Sequence, residues 1–163
     1  MALVKDGKVV ADPFVDATGL DTLPPNGPVL VSHEQWQANQ AALLARGAPI
    51  GIRLRSDQAP ELIAADLQSF ALVALDFPKF RDGRAYSYAR LLRERYGFRG
   101  ELRAVGEVLL EQLFFMLRTG FDAFEIQGAD PAGAYKTALA DFSVWYQPTG
   151  DGRPTAIQLR RAR

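Results

Sequence analysis

The segment that most constrains the fold of this chain is a nearly uninterrupted apolar run, Phe70–Phe77, with the sequence FALVALDF. Such a run is typical of a strand that is buried on both faces, as strands are in parallel sheets covered by helices. Other short apolar strands start near positions 29, 50, 102 and 121. Their spacing of about 20 to 30 residues is that of one strand plus one helix. We therefore predict an α/β domain with a mostly parallel sheet of five or six strands.

The segments between these strands have the end signals of helices. Ser32, with Gln35 three residues later, forms a capping box for a helix predicted over Glu34–Arg46. Asp130, followed by Pro131, is typical of another helix start. Further helices are predicted from about 83 to 96 and over 107–118, and a last strand over 143–146.

The number of strand and helix units limits the architecture. Five or six units are too few for a complete eight-unit barrel. Right-handed crossovers between parallel strands favour a three-layer sandwich with helices on both faces of the sheet. The alternative is a partial (βα) barrel. Residues 1–28 are predicted to be an N-terminal arm or β-ribbon, 29–147 the α/β domain and 148–163 a C-terminal tail.

Composition excludes several classes of function. Nineteen basic residues balance nineteen acidic ones, so no overall field attracts nucleic acid or a membrane. The chain has no signal-peptide pattern and no apolar stretch of membrane-spanning length, so we expect a cytoplasmic protein. The absence of cysteine excludes thiol chemistry and Cys-ligated metals, and the single histidine, His33, excludes a two-histidine metal site. We predict no metal and no cofactor.

The loop after the Phe70–Phe77 strand contains the most unusual charge pattern of the chain. Lys79, Arg81 and Arg84 place three cations at the start of a helix, and Asp82 with Gly83 supplies a turn and a helix cap. Because helix amino termini attract anions, this basic loop is predicted to bind an oxyanion. The alternative is that its cations are solvated or pair with nearby carboxylates.

The next strand ends in a similar position. Arg103, Gly106 and Glu107 lie in or just after this strand, and a glycine allows the backbone to approach a ligand closely. Because parallel strands end at one edge of the sheet, the two loops should be neighbours, and we add these residues to the predicted ligand site. Arg103 could instead point outward from its strand, and Glu107 could serve only its helix dipole.

Secondary candidates lie at the same edge or on the following helix. They are His33, Glu101, Gln112 and Glu125. Each has a structural alternative: a histidine at a helix start is often not catalytic, and a glutamine in an apolar helix often bonds to backbone. The helix around Leu109–Leu117 is apolar almost all round, which indicates either a core helix or a subunit interface of a homo-oligomer. No nucleotide, hydrolase or zinc-protease motif is present, so no catalytic residue is assigned.

Several segments resemble an uncharacterised bacterial family of unknown function. They are residues 75–87 (LDFPKFRDGRAYS), 89–95 (ARLLRER), 100–106 (GELRAVG), 112–114 (QLF) and 120–125 (GFDAFE). Members of that family are often encoded beside assimilatory sulfite reductase and phosphoadenylyl-sulfate reductase, and some are labelled oxidoreductase. The family often has Cys where this chain has Thr119, which argues against an essential thiol.

The resemblance implies a part in sulfate assimilation without implying a reaction. The leading hypothesis is an accessory protein whose basic edge binds an oxyanion or an acidic face of one of the two reductases. The alternative is an enzyme that acts on a sulfur-containing metabolite or nucleotide in the same pathway, with Glu101, Glu107 or His33 as acid or base.

Overall fold

The structure is a computed structural model that describes residues 1–140, 142–150 and 152–162. Two residues of the predicted tail, Asp151 and Arg163, lie outside this description, as does Asp141. The strands are β1 (Ala2–Lys5), β2 (Lys8–Val10), β3 (Val15–Asp16), β4 (Val29–Ser32), β5 (Ile50–Leu54), β6 (Phe70–Phe77), β7 (Glu101–Gly106) and β8 (Ala123–Ile126). The α-helices are α1 (His33–Ala45), α2 (Arg84–Arg90), α3 (Leu110–Thr119), α4 (Pro131–Ala140) and α5 (Ala156–Arg161).

All eight described strands form one mixed sheet in the order β2-β1-β8-β7-β6-β5-β4-β3. Strands β3 to β8 are parallel, and each lies beside the next one in the sequence. Strand β1 pairs antiparallel with both β2 and β8. The α/β class and the mostly parallel sheet are therefore confirmed, although the sheet has more strands than the five or six predicted.

The predicted three-layer sandwich is not the observed architecture, and the alternative, a partial barrel, fits. Because the parallel strands follow one another without reversal, right-handed crossovers place successive helices on the same face of the sheet. Trp36 of α1, Ala89 of α2, Leu113 of α3 and Tyr135 of α4 belong to one core cluster with alternate residues of the strands. The sheet thus curls into a half-barrel with its helices on the convex side.

The concave face of the half-barrel is covered by the chain's own N-terminal segment. A small cluster on this face consists of Leu30, Leu72, Ala74 and Val105, and Phe14 packs against it from the segment between β2 and β3. The residues of the predicted arm therefore contribute three strands to the sheet and one aromatic ring to its concave face.

Local predictions are partly confirmed. The capping box of α1 is present, since the Gln35 N–H donates to Ser32 Oγ at 3.1 Å and the Ser32 N–H to Gln35 Oε1 at 2.9 Å. The predicted strand over 143–146 is wrong, because this segment is irregular. The helix predicted over 107–118 is α3, and it begins at Leu110 and not at Glu107 because Leu109, its N-cap, has an extended backbone. No helix among the described residues is both long and apolar enough to cross a membrane.

Candidate functional site

In the basic loop between β6 and α2, one cation is paired with a carboxylate and two have no partner among the described residues. Arg84 donates to Asp82 through Nε at 2.9 Å and Nη2 at 2.7 Å, and Nη2 also donates to Ser56 Oγ at 3.0 Å. The hydrogen bond from Arg84 holds the pKa of Asp82 well below its usual range. The side chains of Lys79 and Arg81 are exposed and form no ion pair or hydrogen bond with any residue that the structure describes. Two positive charges of this loop therefore face solvent.

Arg103, which the sequence grouped with the basic loop, lies on the concave face and is fully buried. Its guanidinium donates to Asp12 at 2.5 and 3.0 Å, to Glu101 at 2.7 Å and to Glu125 at 3.4 Å. Lys5 donates to the other oxygen of Glu101 at 2.7 Å. Because three carboxylates surround Arg103, its charge holds the N-terminal segment on the sheet and is not open to a ligand.

Gly106 and Glu107 bring the loops after β6 and β7 together. The Glu107 N–H donates to the Phe77 carbonyl at 2.7 Å, so the two loops are neighbours, as predicted. Gly106 has a φ of 90°, and a Cβ atom there would lie 2.6 Å from the same Phe77 carbonyl oxygen. Glycine is therefore needed at this position for the close approach of β7 to β6.

A cavity of about 580 Å³ opens at the carboxyl edge of the parallel strands, and we call it the mouth cavity. The charged side chains of its lining are those of Asp16, Arg53, Glu107 and Glu125. Arg53 Nη2 donates to Asp76 at 2.9 Å, and Nη1 lies 3.5 Å from Asp16 Oδ2. Burial raises the pKa of Glu125, and the charge of Arg103 opposes that rise. Glu125 shares this cavity with Arg53, and a carboxyl whose pKa is raised within a cleft is a candidate functional group.

A second cavity, of about 530 Å³, lies between the basic loop, α2 and α3, and we call it the aromatic groove. Its lining is Phe80, Tyr86, Glu111, Gln112, Phe115 and Thr119. The two phenylalanines are 55% and 52% exposed, respectively. Gln112, Phe115 and Thr119 line the groove together because residues spaced three or four apart lie on the same side of a helix, here α3. Phe80 lies between Lys79 and Arg81 in the sequence, so the groove adjoins these two cations.

Two polar groups of the aromatic groove are held in apolar surroundings. Burial, with a smaller effect of the Glu111 charge, raises the pKa of Tyr86 to about 12. Gln112 is only 8% exposed, and its Oε1 is buried without a hydrogen-bond partner among the described residues. Such an orphan acceptor is rare in proteins. Thr119 differs, because its hydroxyl donates to the Met116 carbonyl at 2.9 Å.

The remaining predicted candidates lie apart from the groove. His33 is the first residue of α1, buried at the end of β4, and lines neither cavity. Glu101 lies at the start of β7, paired with Arg103 and Lys5. Helix α3 buries Leu113 and Met116 in the core and exposes Phe115, so its predicted role in a homo-oligomer stays a prediction.

Sequence reasoning missed lining residues of both cavities, and also Asp76, which accepts a hydrogen bond from Arg53 of the mouth cavity. Arg53 and Asp76 interrupt the apolar strands β5 and β6 near their carboxyl ends, and a polar residue in such a strand is a signal that could have identified them. Phe80 and Phe115 were not singled out, because an aromatic residue in a loop or apolar helix gives no sign of its exposure.

A family model for bacterial proteins of unknown function, DUF934, matches residues 51–157. The matched range begins within β5 and reaches into α5, so it includes the basic loop and the whole lining of the aromatic groove. No curated protein matches the chain.

Proposed function

Since the chain belongs to this bacterial family of unknown function, we propose that it is an accessory protein of assimilatory sulfate and sulfite reduction that docks on an acidic reductase surface. The docking surface consists of Lys79, Phe80, Arg81 and Phe115. The partner would be sulfite reductase or phosphoadenylyl-sulfate reductase. The pathway in this proposal comes from the sequence resemblance described above.

The observation that supports docking most directly is the state of the loop cations. Arg84 is already paired with Asp82, whereas the side chains of Lys79 and Arg81 have no partner among the described residues. Phe80, which lies between these two cations in the sequence, and Phe115, which lines the same cavity as Phe80, are exposed aromatic rings. Aromatic residues and arginine are enriched in protein interfaces, and unpaired surface charge speeds the encounter with an oppositely charged partner. The loop therefore has both the apolar contact area and the charge of a docking site.

The proposal can be tested by charge reversal. A Lys79→Glu/Arg81→Glu variant should weaken binding to purified sulfite reductase of the same bacterium at least about tenfold, because each attractive charge becomes repulsive. Lys8→Glu/Lys136→Glu is the matched control, with the same change of net charge on exposed residues of β2 and α4. Binding is measured by surface plasmon resonance at two salt concentrations, with phosphoadenylyl-sulfate reductase as a second ligand. Equal affinity of the two variants for both reductases would refute docking through the basic loop.

A second candidate function is an enzyme that acts on a sulfur-containing metabolite or nucleotide, and the mouth cavity favours it. Ligands of parallel sheets bind at the carboxyl ends of the strands, where this cavity lies. In this reading Arg53 would hold an oxyanion and Glu125 would act as acid or base. Isothermal titration of sulfite and adenosine phosphosulfate into wild type and Arg53→Met tests it, since binding that survives the substitution would exclude this role of Arg53.

A further inference from the structure

We propose that the concave face of the half-barrel holds a binding site for a small aromatic oxyanion, and that residues 11–16 of the chain occupy this site in place of the ligand. We call residues 11–16 the strap. The site shares no residue with the docking surface proposed above, so it is a binding function beyond docking. Two contacts of the strap lead to the inference, one from a carboxylate and one from an aromatic ring, and both are made with the guanidinium of Arg103.

The carboxylate of Asp12 occupies the position of an oxyanion. Its Oδ2 accepts from Arg103 Nη1 at 2.5 Å, and its Oδ1 accepts from Nη2 at 3.0 Å. Carboxylate, phosphate and sulfate groups all fit such paired guanidinium donors. Although burial opposes it, the hydrogen bonds from Arg103 and from the Phe14 N–H lower the pKa of Asp12. The position therefore favours a negative charge.

The ring of Phe14 occupies an adjacent apolar position. It packs on the small cluster of the concave face, and its centroid lies 6.0 Å from Arg103 Cζ. A guanidinium at this distance from a ring is within cation–π range. The Phe14 N–H donates to Asp12 Oδ1 at 3.0 Å, so the carboxylate is held next to the residue that carries the ring. One small molecule that joins a ring to an oxyanion can therefore make both contacts with Arg103.

The guanidinium becomes accessible when the strap leaves the sheet. Arg103 is fully buried, but the Asp12 side chain that contacts it is 34% exposed, so the Nη atoms lie one side chain below the surface. Without Asp12, Nη2 has no hydrogen-bond acceptor among the described residues, whereas Nε keeps Glu101 and Nη1 keeps Glu125. Because a buried donor without an acceptor is costly, the group that replaces Asp12 has to be an acceptor.

Few contacts hold the strap on the sheet. Phe14 is its one half-buried residue, and the other five are exposed. The strap ends in β3, a strand of two residues at the edge of the sheet. Segments with few buried contacts open at a lower free-energy cost than the core. A ligand therefore competes with the strap and not with the fold of the sheet.

Isothermal titration of three probes into the full-length protein tests the site. The probes are phenyl phosphate, methyl phosphate and phenyltrimethylammonium. Asp12→Ala/Phe14→Ala removes the carboxylate and the ring that occupy the site, so phenyl phosphate should bind this variant at least about tenfold more tightly than wild type. Methyl phosphate should bind the variant several-fold more weakly than phenyl phosphate because it has no ring, and the cation should not bind.

A matched control is Asp57→Ala/Phe142→Ala, which removes an acid and a half-exposed ring elsewhere on the surface and should bind phenyl phosphate as wild type does. Asp12→Asn keeps the shape of the side chain and should still bind phenyl phosphate several-fold more tightly than wild type. Equal affinity of wild type and the folded Asp12 variants for phenyl phosphate would overturn the inference.

NMR during the same titrations locates the bound probe. The backbone amides of Ala74 and Val105, which belong to the cluster under Phe14, should shift. Shifts confined to Lys79 and Arg81 would place the phosphate on the basic loop and overturn the inference. The docking function is tested separately, since Lys79→Glu/Arg81→Glu should weaken reductase binding without changing the affinity of the concave-face site for phenyl phosphate.

Hydrogen exchange of wild type tests displacement of the strap without any substitution. The Val15 N–H donates to the Pro28 carbonyl at 3.0 Å, and the Ala17 N–H donates to the Leu30 carbonyl at 2.8 Å. Saturating phenyl phosphate should speed the exchange of both amides several-fold because the strap leaves the sheet, while Ala134 of α4 serves as the unaffected control. Slower or unchanged exchange at Val15 and Ala17 would refute displacement of the strap by the ligand.

Discussion

Asp12 and Arg103 are 91 residues apart in the sequence and form a two-pronged ion pair on the concave face of the half-barrel. The guanidinium is fully buried, whereas the Asp12 side chain is 34% exposed. Burial opposes ionisation of Asp12, but the hydrogen bonds from Arg103 and the Phe14 N–H, together with the charges of Arg103 and Lys5, outweigh burial and lower the pKa of the carboxyl. This pair joins the N-terminal segment to the centre of the sheet.

We predict that Asp12→Ala destabilises the protein by about 1–3 kcal/mol in urea unfolding. Removal of one partner of a fully buried ion pair costs about 3–5 kcal/mol. We expect a smaller loss for Asp12→Ala because Asp12 is partly exposed and because Arg103 still has its other carboxylate partners. Asp57→Ala is the control, because Asp57 pairs with Arg55 at the surface. It should change stability by less than about 0.5 kcal/mol. Equal effects of both variants would contradict a stabilising role for the buried pair.

The pH dependence of stability should distinguish Glu125 from Asp12. The folded-state pKa of Glu125 is raised above 4.5, so the folded state takes up its proton first and gains stability as pH falls from neutral. The stability of wild type relative to Glu125→Gln should therefore rise as pH falls to about 4.5 and then level off. The lowered pKa of Asp12 acts the other way, so wild type should lose its advantage over Asp12→Asn below about pH 4.

Thermal unfolding of each pair across this pH range is the measurement. If the stability advantage of wild type over Glu125→Gln decreases as pH falls, the charge of Arg103 outweighs the burial of Glu125.

Two buried glutamines should respond in opposite ways to substitution by leucine. Gln58 has its amide satisfied, because its Oε1 accepts from the Arg55 N–H at 2.9 Å and its Nε2 donates to Glu34 at 3.0 Å. Gln58→Leu should cost about 1–3 kcal/mol, whereas Gln112→Leu, which removes an orphan oxygen, should be neutral or stabilising by up to about 1 kcal/mol. Urea unfolding of both variants gives the comparison. Equal destabilisation would mean that the Gln112 oxygen has a partner.

Gly106 should be far less tolerant of alanine than Gly47. Both glycines have positive φ, at 90° and 62°, so each substitution costs about 1–2 kcal/mol for the left-handed backbone. A Cβ at Gly106 would also lie 2.6 Å from the Phe77 carbonyl oxygen, while the space at Gly47 is open. Gly106→Ala should therefore exceed Gly47→Ala by about 1–3 kcal/mol or more in unfolding free energy. Similar costs would show that β7 can shift away from β6.

Oxyanion binding by the basic loop gives a further prediction. Sulfate at about a hundred times its dissociation constant should stabilise wild type by about 2.7 kcal/mol beyond its effect on Arg81→Ala/Arg84→Ala. The comparison is made by thermal unfolding at equal ionic strength, because sulfate also stabilises proteins generally. An equal gain in both proteins would leave the loop without an oxyanion site.

The positions of the strands could be predicted from the sequence, but their arrangement could not. Apolar runs near 29, 50, 70 and 102 correspond to strands that begin at Val29, Ile50, Phe70 and Glu101. An apolar run indicates that its residues are buried, but it does not indicate which strand will lie beside it in the sheet. The sandwich and the half-barrel are built from the same units, so the choice between them depends on strand order alone.

The candidate site shows the same limit. The cluster of Lys79, Arg81 and Arg84 is visible in the sequence, and so is the alternative that its cations pair with nearby carboxylates, as Arg84 does with Asp82. Which of the three cations pairs depends on rotamers that no pattern encodes. Asp12 could not be assigned to Arg103, because no local signal connects residues so far apart. The prediction that Arg103 joins the basic edge failed for this reason.

The pairing of β1 with β8 has a consequence for synthesis on the ribosome. Strands β4 to β7 can each add to the strand made just before, whereas Ala2 pairs with Ile126 and must wait until that residue has emerged. Contacts between such distant residues form slowly, since a long loop must close first. The residues of β1 therefore take their places long after they have left the ribosome, and until then β8 presents an open edge to any other nascent chain nearby.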